Sequence, residues 1–156
     1  MRHYWVDRLT VIEPGVRAVG VKSVALSEDV FTDHFPGNPV FPGIYLLEGM
    51  AQTAGALIER TTDGKRFGLM TSIDRVRFGA FVRPGDQVTY EIVIEAMDEG
   101  HARVRGEATV AGRSVATGRI SFALVETERI IPPIYLPYWR HALGLWRGQY
   151  PEPTDG

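Results

Sequence analysis

Residues 43–60 are apolar on nearly every side, and this stretch constrains the fold more than any other part of the sequence. Pro42 stands immediately before it, at a position where a helix tolerates a missing backbone N–H. A helix with only a narrow polar strip has to be enclosed by the rest of the chain. The pattern predicts one long buried helix, with apolar members Ile44, Tyr45, Leu46, Leu47, Met50, Ala51, Ala54, Ala56, Leu57 and Ile58.

The chain on either side of this helix has the pattern of β-strands. Residues 4–12 and 16–24 alternate loosely around the turn Glu13-Pro14-Gly15, which predicts a hairpin, and a capped helical turn with Ser27 as its N-cap follows. Four strand-like segments come after the helix, at 67–78, 87–97, 101–111 and 114–125. One long helix followed by an antiparallel meander predicts an α+β fold with the sheet wrapped around the helix.

Composition narrows the classes of function. The 156 residues suffice for one domain with a substantial core. Seventeen Lys and Arg against nineteen Asp and Glu give a formal net charge of −2, so charge offers no case for nucleic-acid binding. The absence of cysteine excludes disulfides, thiolate nucleophiles and thiolate zinc sites. With no signal-peptide run and no apolar window of about eighteen residues, we expect a cytoplasmic protein that does not enter the membrane.

Two ionisable side chains stand out around the start of the predicted helix. His34 opens a loop that three prolines and two glycines stiffen before Gly43, and Glu48 lies in the middle of the apolar run. Each alone has an ordinary explanation: a structural histidine, or a glutamate whose carboxylate reaches solvent or a subunit boundary. Together they fit a pair that works by acid and base catalysis.

These residues belong to a longer motif. The sequence His-Phe-Pro-Gly-x-Pro-Val-x-Pro-Gly begins at His34, Glu48 follows fourteen residues after the histidine, and Met50-Ala51-Gln52 comes next. Further blocks are Ser72-Ile73-Asp74-Arg75-Val76-Arg77-Phe78 and Arg83-Pro84-Gly85-Asp86-Gln87-Val88. Over about residues 4 to 125, the chain resembles the bacterial 3-hydroxyacyl-acyl-carrier-protein dehydratases, which have the hot-dog fold.

The resemblance implies dehydration of a (3R)-hydroxyacyl thioester, carried on the phosphopantetheine of an acyl carrier protein, to the trans-2-enoyl thioester, with no cofactor or metal. This reaction removes a weakly acidic proton beside a carbonyl group and expels hydroxide, so it needs a base, an acid and a donor to the carbonyl oxygen. By resemblance, His34 is the base and Glu48 is the acid or the holder of the leaving water. The N–H of Gly43, at the positive end of the helix, is the expected donor.

Other residues receive supporting roles from the resemblance. It implies that the backbone carbonyl of Val40 fixes the tautomer of His34 and that Gln52 supports Glu48. The candidates for lining the acyl chain, for which core packing is an equally good explanation, are Phe35, Phe41 and Phe78. The candidates for contact with phosphopantetheine or an acidic carrier protein, although exposed basic residues usually just face solvent, are Arg75, Arg77, Arg83, Lys65 and Arg66.

The resemblance also implies an assembly. Family members pair two hot-dog units side by side, and the histidine and glutamate of one site come from different subunits. We therefore expect a homodimer or a higher homo-oligomer such as a trimer of dimers. Gly79-Ala80-Phe81 departs from the family, where basic residues and then a proline are common. Together with the aromatic C-terminal segment and the lack of room for the family's N-terminal helix, this indicates a specialised pathway, such as one for a polyketide or modified lipid. A coenzyme A thioester is the alternative substrate.

Residues 126–156 have a composition of their own. They are too rich in aromatic residues and proline for a disordered tail, and we expect a short helix at 137–147. The predicted organisation is a dehydratase-like domain at 1–125 and an extension at 126–156 that packs on the domain or on a neighbouring subunit. The extension either supplies buried area only or takes part in substrate choice or in binding a carrier or partner protein.

Two classes of function compete with dehydration. A hot-dog enzyme of related sequence could hydrolyse or isomerise the thioester, since hydrolysis needs only a carboxylate and a water molecule. The chain could also be a non-catalytic subunit that retains the motif and works only beside a catalytic partner. The sequence does not specify the length or substituents of the acyl chain.

Overall fold

A computed structural model describes residues 4–149, and the structural statements below concern this part of the chain. The elements are β1 (Arg8–Glu13), β2 (Arg17–Ser23), α1 (Gly43–Thr61), β3 (Arg66–Phe78), β4 (Gln87–Met97), β5 (His101–Val110), β6 (Arg113–Glu126), α2 (Thr127–Ile130) and α3 (Leu136–Trp146). The predicted hairpin, central helix, later strands and C-terminal helix are confirmed, and most of their ends differ from the predicted limits by one residue. None of the helices within residues 4–149 is long and apolar enough to cross a membrane.

The strands form one antiparallel sheet in the order β1-β2-β4-β5-β6-β3. Buried and more exposed side chains alternate along β4, β5 and β6, as expected for strands with one face on a core. Helix α1 packs on the sheet and contacts all six strands. Strand β3 is one edge of the sheet, and Leu69, Met70 and Phe78 are exposed along it. The predicted α+β architecture is therefore confirmed.

Helix α1 buries one side and leaves the other partly open. Leu46, Met50, Leu57 and Ile58 belong to the core, as the sequence predicts. The expectation of burial on nearly every side is wrong for Ile44, which is 60% exposed. The physical reason is that the sheet covers the helix from one side, so a stripe of α1 stays outside it.

The segment before His34 is pinned to β2 by a small cluster of charges. A single 3₁₀ turn, Asp29–Thr32, is capped by Glu28 without a side-chain bond, so the prediction of Ser27 as N-cap is wrong. Glu28 is held by a tertiary contact, since Lys22 Nζ lies 2.7 Å from its carboxylate and 3.3 Å from that of Asp7. Burial alone would lower the pKa of Lys22, but bonds to Glu28 and Asp7 and their charges outweigh it and raise the pKa.

The segment after β6 folds back onto the domain. Trp139 of α3 packs on Phe67 of β3 with ring centroids 5.8 Å apart, and Trp146 meets Tyr4 edge-on at 5.4 Å. Leu143 is buried within the core. Residues 150–156 of the predicted extension, with Tyr150, lie outside the described residues, as do residues 1–3.

Two glycines of α1 should respond to alanine in opposite directions. A Cβ on Gly49 would overlap the ring of buried Tyr90, so Gly49→Ala should lower the free energy of unfolding by about 1–3 kcal/mol. Nothing lies within 4 Å of the corresponding position on Gly55. Gly55→Ala is therefore the matched control and should raise the free energy of unfolding by about 0.5–1 kcal/mol. Urea unfolding measures both values, and a stabilised Gly49→Ala protein would contradict this packing.

Candidate active site

His34 lies in a loop that is closed by its own backbone hydrogen bonds. The backbone N–H of Val40 donates to the carbonyl of His34 at 3.0 Å, and Phe35 and Asn38 exchange hydrogen bonds at 3.1 and 2.9 Å. The backbone N–H of His34 donates to the carbonyl of Val30 at 3.1 Å. The peptide bond between His34 and Phe35 is cis. The position of the imidazole is thus set by the backbone on both sides of it.

The ring of His34 has one nitrogen already engaged. Nδ1 lies 2.6 Å from the carbonyl oxygen of Val40. Because a carbonyl oxygen can only accept, Nδ1 carries the proton, and in the neutral imidazole the lone pair is then on Nε2. The ring also stacks on Phe35 with centroids 4.1 Å apart. The geometry provides an oriented imidazole whose Nε2 can accept a proton.

Arg83 follows β3 in the chain but is hydrogen-bonded to the loop of His34. Its NH1 group donates to the side-chain oxygen of Asn38 at 2.8 Å and to the carbonyl of Pro39 at 3.1 Å. The guanidinium lies 5.9 Å from the ring centre of Phe81. The predicted carrier-binding residue Arg83 is therefore hydrogen-bonded to the loop through its NH1 group. The other two candidates, Arg75 and Arg77, are exposed on β3.

Gly43 is the first residue of α1, and its N–H is one of those that a helix leaves without an intrahelical partner. A Cβ at this position would lie 2.6 Å from a ring carbon of Phe78. The glycine thus admits the Phe78 ring against the start of the helix. Phe78 and Phe35 are about half exposed near this end of α1, whereas Phe41 is only 2% exposed and packs in the core.

Glu48 is half-buried on α1 and held by its neighbour one turn on. The Nε2 group of Gln52 donates to Glu48 Oε1 at 3.0 Å. The other end of that amide is also used, because Gln52 Oε1 accepts from the backbone N–H of Trp5 at 2.9 Å. This second bond decides which way the amide faces and so aims its donor at the carboxylate.

A cavity of about 330 Å³ lies beside Glu48, and sequence reasoning missed part of its wall. It is bounded by α1, by the first residues of β3 and by α3, whose contributions are Trp139, Leu143 and Trp146. The only sequence signal for this wall was the aromatic content of the extension. His34 does not line the cavity, and no hydrogen bond joins it to Glu48 in the part of the chain that the structure describes.

Comparison with known families identifies the relationship. The family model of the FabA-like domain matches residues 4–119 of the chain. The chain belongs to the FabA-like family. The 3-hydroxyacyl-(acyl-carrier-protein) dehydratase FabZ of Thermoanaerobacter sp. (strain X514) is 40% identical to this FabA-like chain over 122 residues, which are 78% of the chain and 86% of the relative.

Solved structures share the fold of the FabA-like chain. A hot-dog-like protein from Thermanaerovibrio acidaminovorans aligns with a TM-score of 0.63 at 19% identity, over 83% of this chain and 93% of that one. The dehydratase heterocomplex ApeI:P from Xenorhabdus doucetiae aligns with a TM-score of 0.67 at 17% identity, over 85% and 90%. The predicted hot-dog fold is confirmed. At residues 4–149, no cluster of three or more His, Cys, Asp or Glu side chains is arranged to hold a metal ion.

The tautomer of His34 can be checked directly. Because Val40 accepts from Nδ1, the neutral ring should carry its proton on Nδ1 and leave Nε2 unprotonated. Long-range ¹H–¹⁵N NMR spectra distinguish the two nitrogens by their chemical shifts. His141, exposed on α3, is the internal control and should show a mixture of tautomers. A His34 ring with its proton on Nε2 would rule out the described contact with Val40.

Proposed function

We propose that this chain dehydrates a (3R)-hydroxyacyl thioester, carried on an acyl carrier protein, to the trans-2-enoyl thioester and water in fatty-acid biosynthesis. The observation that carries the proposal is an imidazole whose Nδ1 is engaged by Val40, in a chain that also holds a carboxylate beside an apolar cavity. The named activity of the 40% identical relative points to the same reaction. A cytoplasmic location, predicted from the sequence, is part of this proposal.

His34 acts as the base. Its Nε2 takes the proton from the carbon between the thioester carbonyl and the hydroxyl-bearing carbon. The electron pair of that C–H bond then forms the new double bond as the hydroxyl group leaves. The Nδ1–H bond to Val40 stabilises the protonated ring, because it persists when Nε2 gains its proton.

Glu48 acts as the acid, and the start of α1 stabilises the carbonyl oxygen. A carboxyl proton passes from Glu48 to the departing hydroxyl group, so this group leaves as water. The substrate thus gives one proton to His34 and receives one from Glu48. Gln52 is a positioning residue that keeps the carboxyl group in place through its 3.0 Å hydrogen bond. The N–H of Gly43 donates to the thioester oxygen as negative charge develops there, and the helix dipole strengthens this interaction.

The two reacting side chains of one site come from two copies of the chain. His34 and Glu48 make no contact with each other in the described residues, which supports a site completed by a second subunit. Strand β3 has thirteen residues and one unpaired edge with exposed apolar side chains, the kind of edge that pairs with another strand. A homodimer formed along β3 follows from this proposal, as an isologous contact.

The carrier protein binds next to β3. Arg75 and Arg77 are exposed there, and exposed cations attract the acidic surface of a carrier. Arg83 has a different part, because its bonds to Asn38 and Pro39 hold the loop of His34. The division into a dehydratase domain at 1–125 and an extension at 126–156 belongs to the same proposal.

Removing the base or the acid should abolish dehydration. His34→Ala and the isosteric Glu48→Gln should each lower the rate about 10²–10⁴-fold, the range for loss of a general acid or base. Mass spectrometry of 3-hydroxyacyl thioesters, on carrier protein and on pantetheine, follows the loss of water. His101→Ala is the control and should leave the rate unchanged.

Other outcomes of that assay would replace the proposal. Release of free acid by the wild-type protein would indicate a thioesterase. An unchanged thioester under all conditions would indicate a non-catalytic subunit. Full activity of the Glu48→Gln protein would show that Glu48 is not the acid and that His34 acts without it.

Mixed subunits should test the shared site. In a homodimer, His34→Ala and Glu48→Gln subunits each carry the residue that the other lacks, so a mixed dimer retains one complete site. Co-expression with two different tags and purification through both should therefore restore part of the activity. Two His34→Ala subunits with the same tags are the control and should stay inactive. An inactive mixed dimer would show that each site lies within one chain.

A further inference from the structure

The cavity beside Glu48 follows one stripe of α1. Glu48, Gln52, Gly55 and Glu59 line it together with Ala51 and Ala56. Residues at these intervals share one side of a helix, and the eleven steps from Glu48 to Glu59 span roughly 16 Å. Between Gln52 and Glu59, the α1 residues that line the cavity are only Gly55 and Ala56. The space therefore exists because α1 has small residues where it faces the start of β3 and α3.

The extension supplies the wall that faces this stripe. Trp139, Leu143 and Trp146 lie at intervals of four and three residues on α3 and line the cavity. The rings of Trp139 and Trp146 pack against Phe67 and Tyr4, which joins the wall to β3 and to the start of the described chain. The FabA-like match ends at residue 119, so this wall is built from a part of the chain beyond the family's domain.

The far end of the cavity is polar. Glu59 and Arg66 line it, and Arg147 lies 3.9 Å from the carboxylate of Glu59. An aliphatic chain gains from each methylene group that it buries against Trp139 and Leu143 but gains nothing by displacing water from charged groups. The cavity is thus apolar along its middle and closed to apolar chains at the Glu59 end.

We propose that the C-terminal extension is the specificity element of the enzyme, which seats the acyl chain of the substrate between α3 and the small-residue stripe of α1. This inference rests on the proposed dehydratase function. The acyl chain enters beside Glu48, and its tail ends before Glu59. The preferred substrate is accordingly a medium-length, unbranched acyl thioester, and affinity should rise about fourfold per methylene group, the equivalent of 0.8 kcal/mol, until the polar end is reached.

Two substitutions should move the chain-length preference in opposite directions. Gly55→Leu puts a side chain into the cavity from a position with nothing within 4 Å of its Cβ, so the helix is expected to remain folded. It should lower kcat/KM for 3-hydroxyoctanoyl pantetheine about tenfold or more, with a much smaller effect on the 3-hydroxybutyryl substrate. Trp139→Ala removes part of the wall and should raise the activity on 3-hydroxyhexadecanoyl relative to 3-hydroxyoctanoyl pantetheine. Tyr138→Ala, on the same helix but 54% exposed, is the matched control and should keep the wild-type preference.

A binding measurement separates this inference from the reaction itself. Decanoyl pantetheine has no 3-hydroxyl group and cannot be dehydrated, so calorimetric titration reports binding without the reaction, and the comparison with Gly55→Leu isolates the contribution of the cavity. We expect binding to the wild-type protein and to Tyr138→Ala, and at least about tenfold weaker binding to Gly55→Leu. Equal binding to Gly55→Leu, or an unchanged ratio of octanoyl to butyryl activity, would overturn the assignment. Cavity-dependent binding without dehydration of any substrate would instead overturn the proposed reaction and leave the acyl site in place.

Discussion

The functional features of this protein depend on the space that the packing around α1 leaves along one stripe of the helix. The sheet contacts the helix with all six strands, yet Glu48 and Gln52 remain only half-buried because a cavity lies beside them. A helix enclosed all round would leave no space for a substrate beside its carboxylate. A helix on the open surface would leave that carboxylate fully hydrated and unsuited to acid catalysis. The same packing sets the start of the helix beside the loop of His34.

The half-buried carboxylate of Glu48 is oriented by a neighbour on α1, and that neighbour is held by a residue far away in the sequence. Gln52 donates to Glu48 and accepts from the backbone of Trp5, so the first described residues help to orient the acid. The neighbouring residue Tyr4 packs on Trp146 of the extension. The start of the chain is therefore in contact with both the proposed acid and the proposed acyl-chain wall. Such connections make the orientation of Glu48 a property of the whole domain.

Sequence reasoning succeeded where a local pattern decides the outcome. The apolar run of α1 and the strand-like segments of β3 to β6 are read along the chain, and the predicted limits agree with the structure to within one residue. It failed where a distant contact decides. Ser27 has the chemistry of an N-cap, but the bond between Lys22 and Glu28 holds that segment. The hydrogen bonds of Arg83 to Asn38 and Pro39 are likewise not predictable from a local pattern, because these partners lie more than forty positions away. The cavity wall on α3 also exists only because the extension folds back onto the domain, and the periodicity of the sequence does not predict that contact.

The three glycines at positions 43, 49 and 55 show most clearly what the sequence alone cannot predict, namely which groups occupy the space beside each of them. They are six residues apart, so on a helix they face directions separated by about 120°. Phe78 occupies the space beside Gly43, Tyr90 occupies the space beside Gly49, and nothing occupies the space beside Gly55. A glycine inside a helix costs about 1 kcal/mol relative to alanine, and at the first two positions a close ring contact explains that cost. At Gly55 no contact explains it. A larger side chain there would stabilise the helix and fill the cavity, so the open space costs stability, as is common at binding sites.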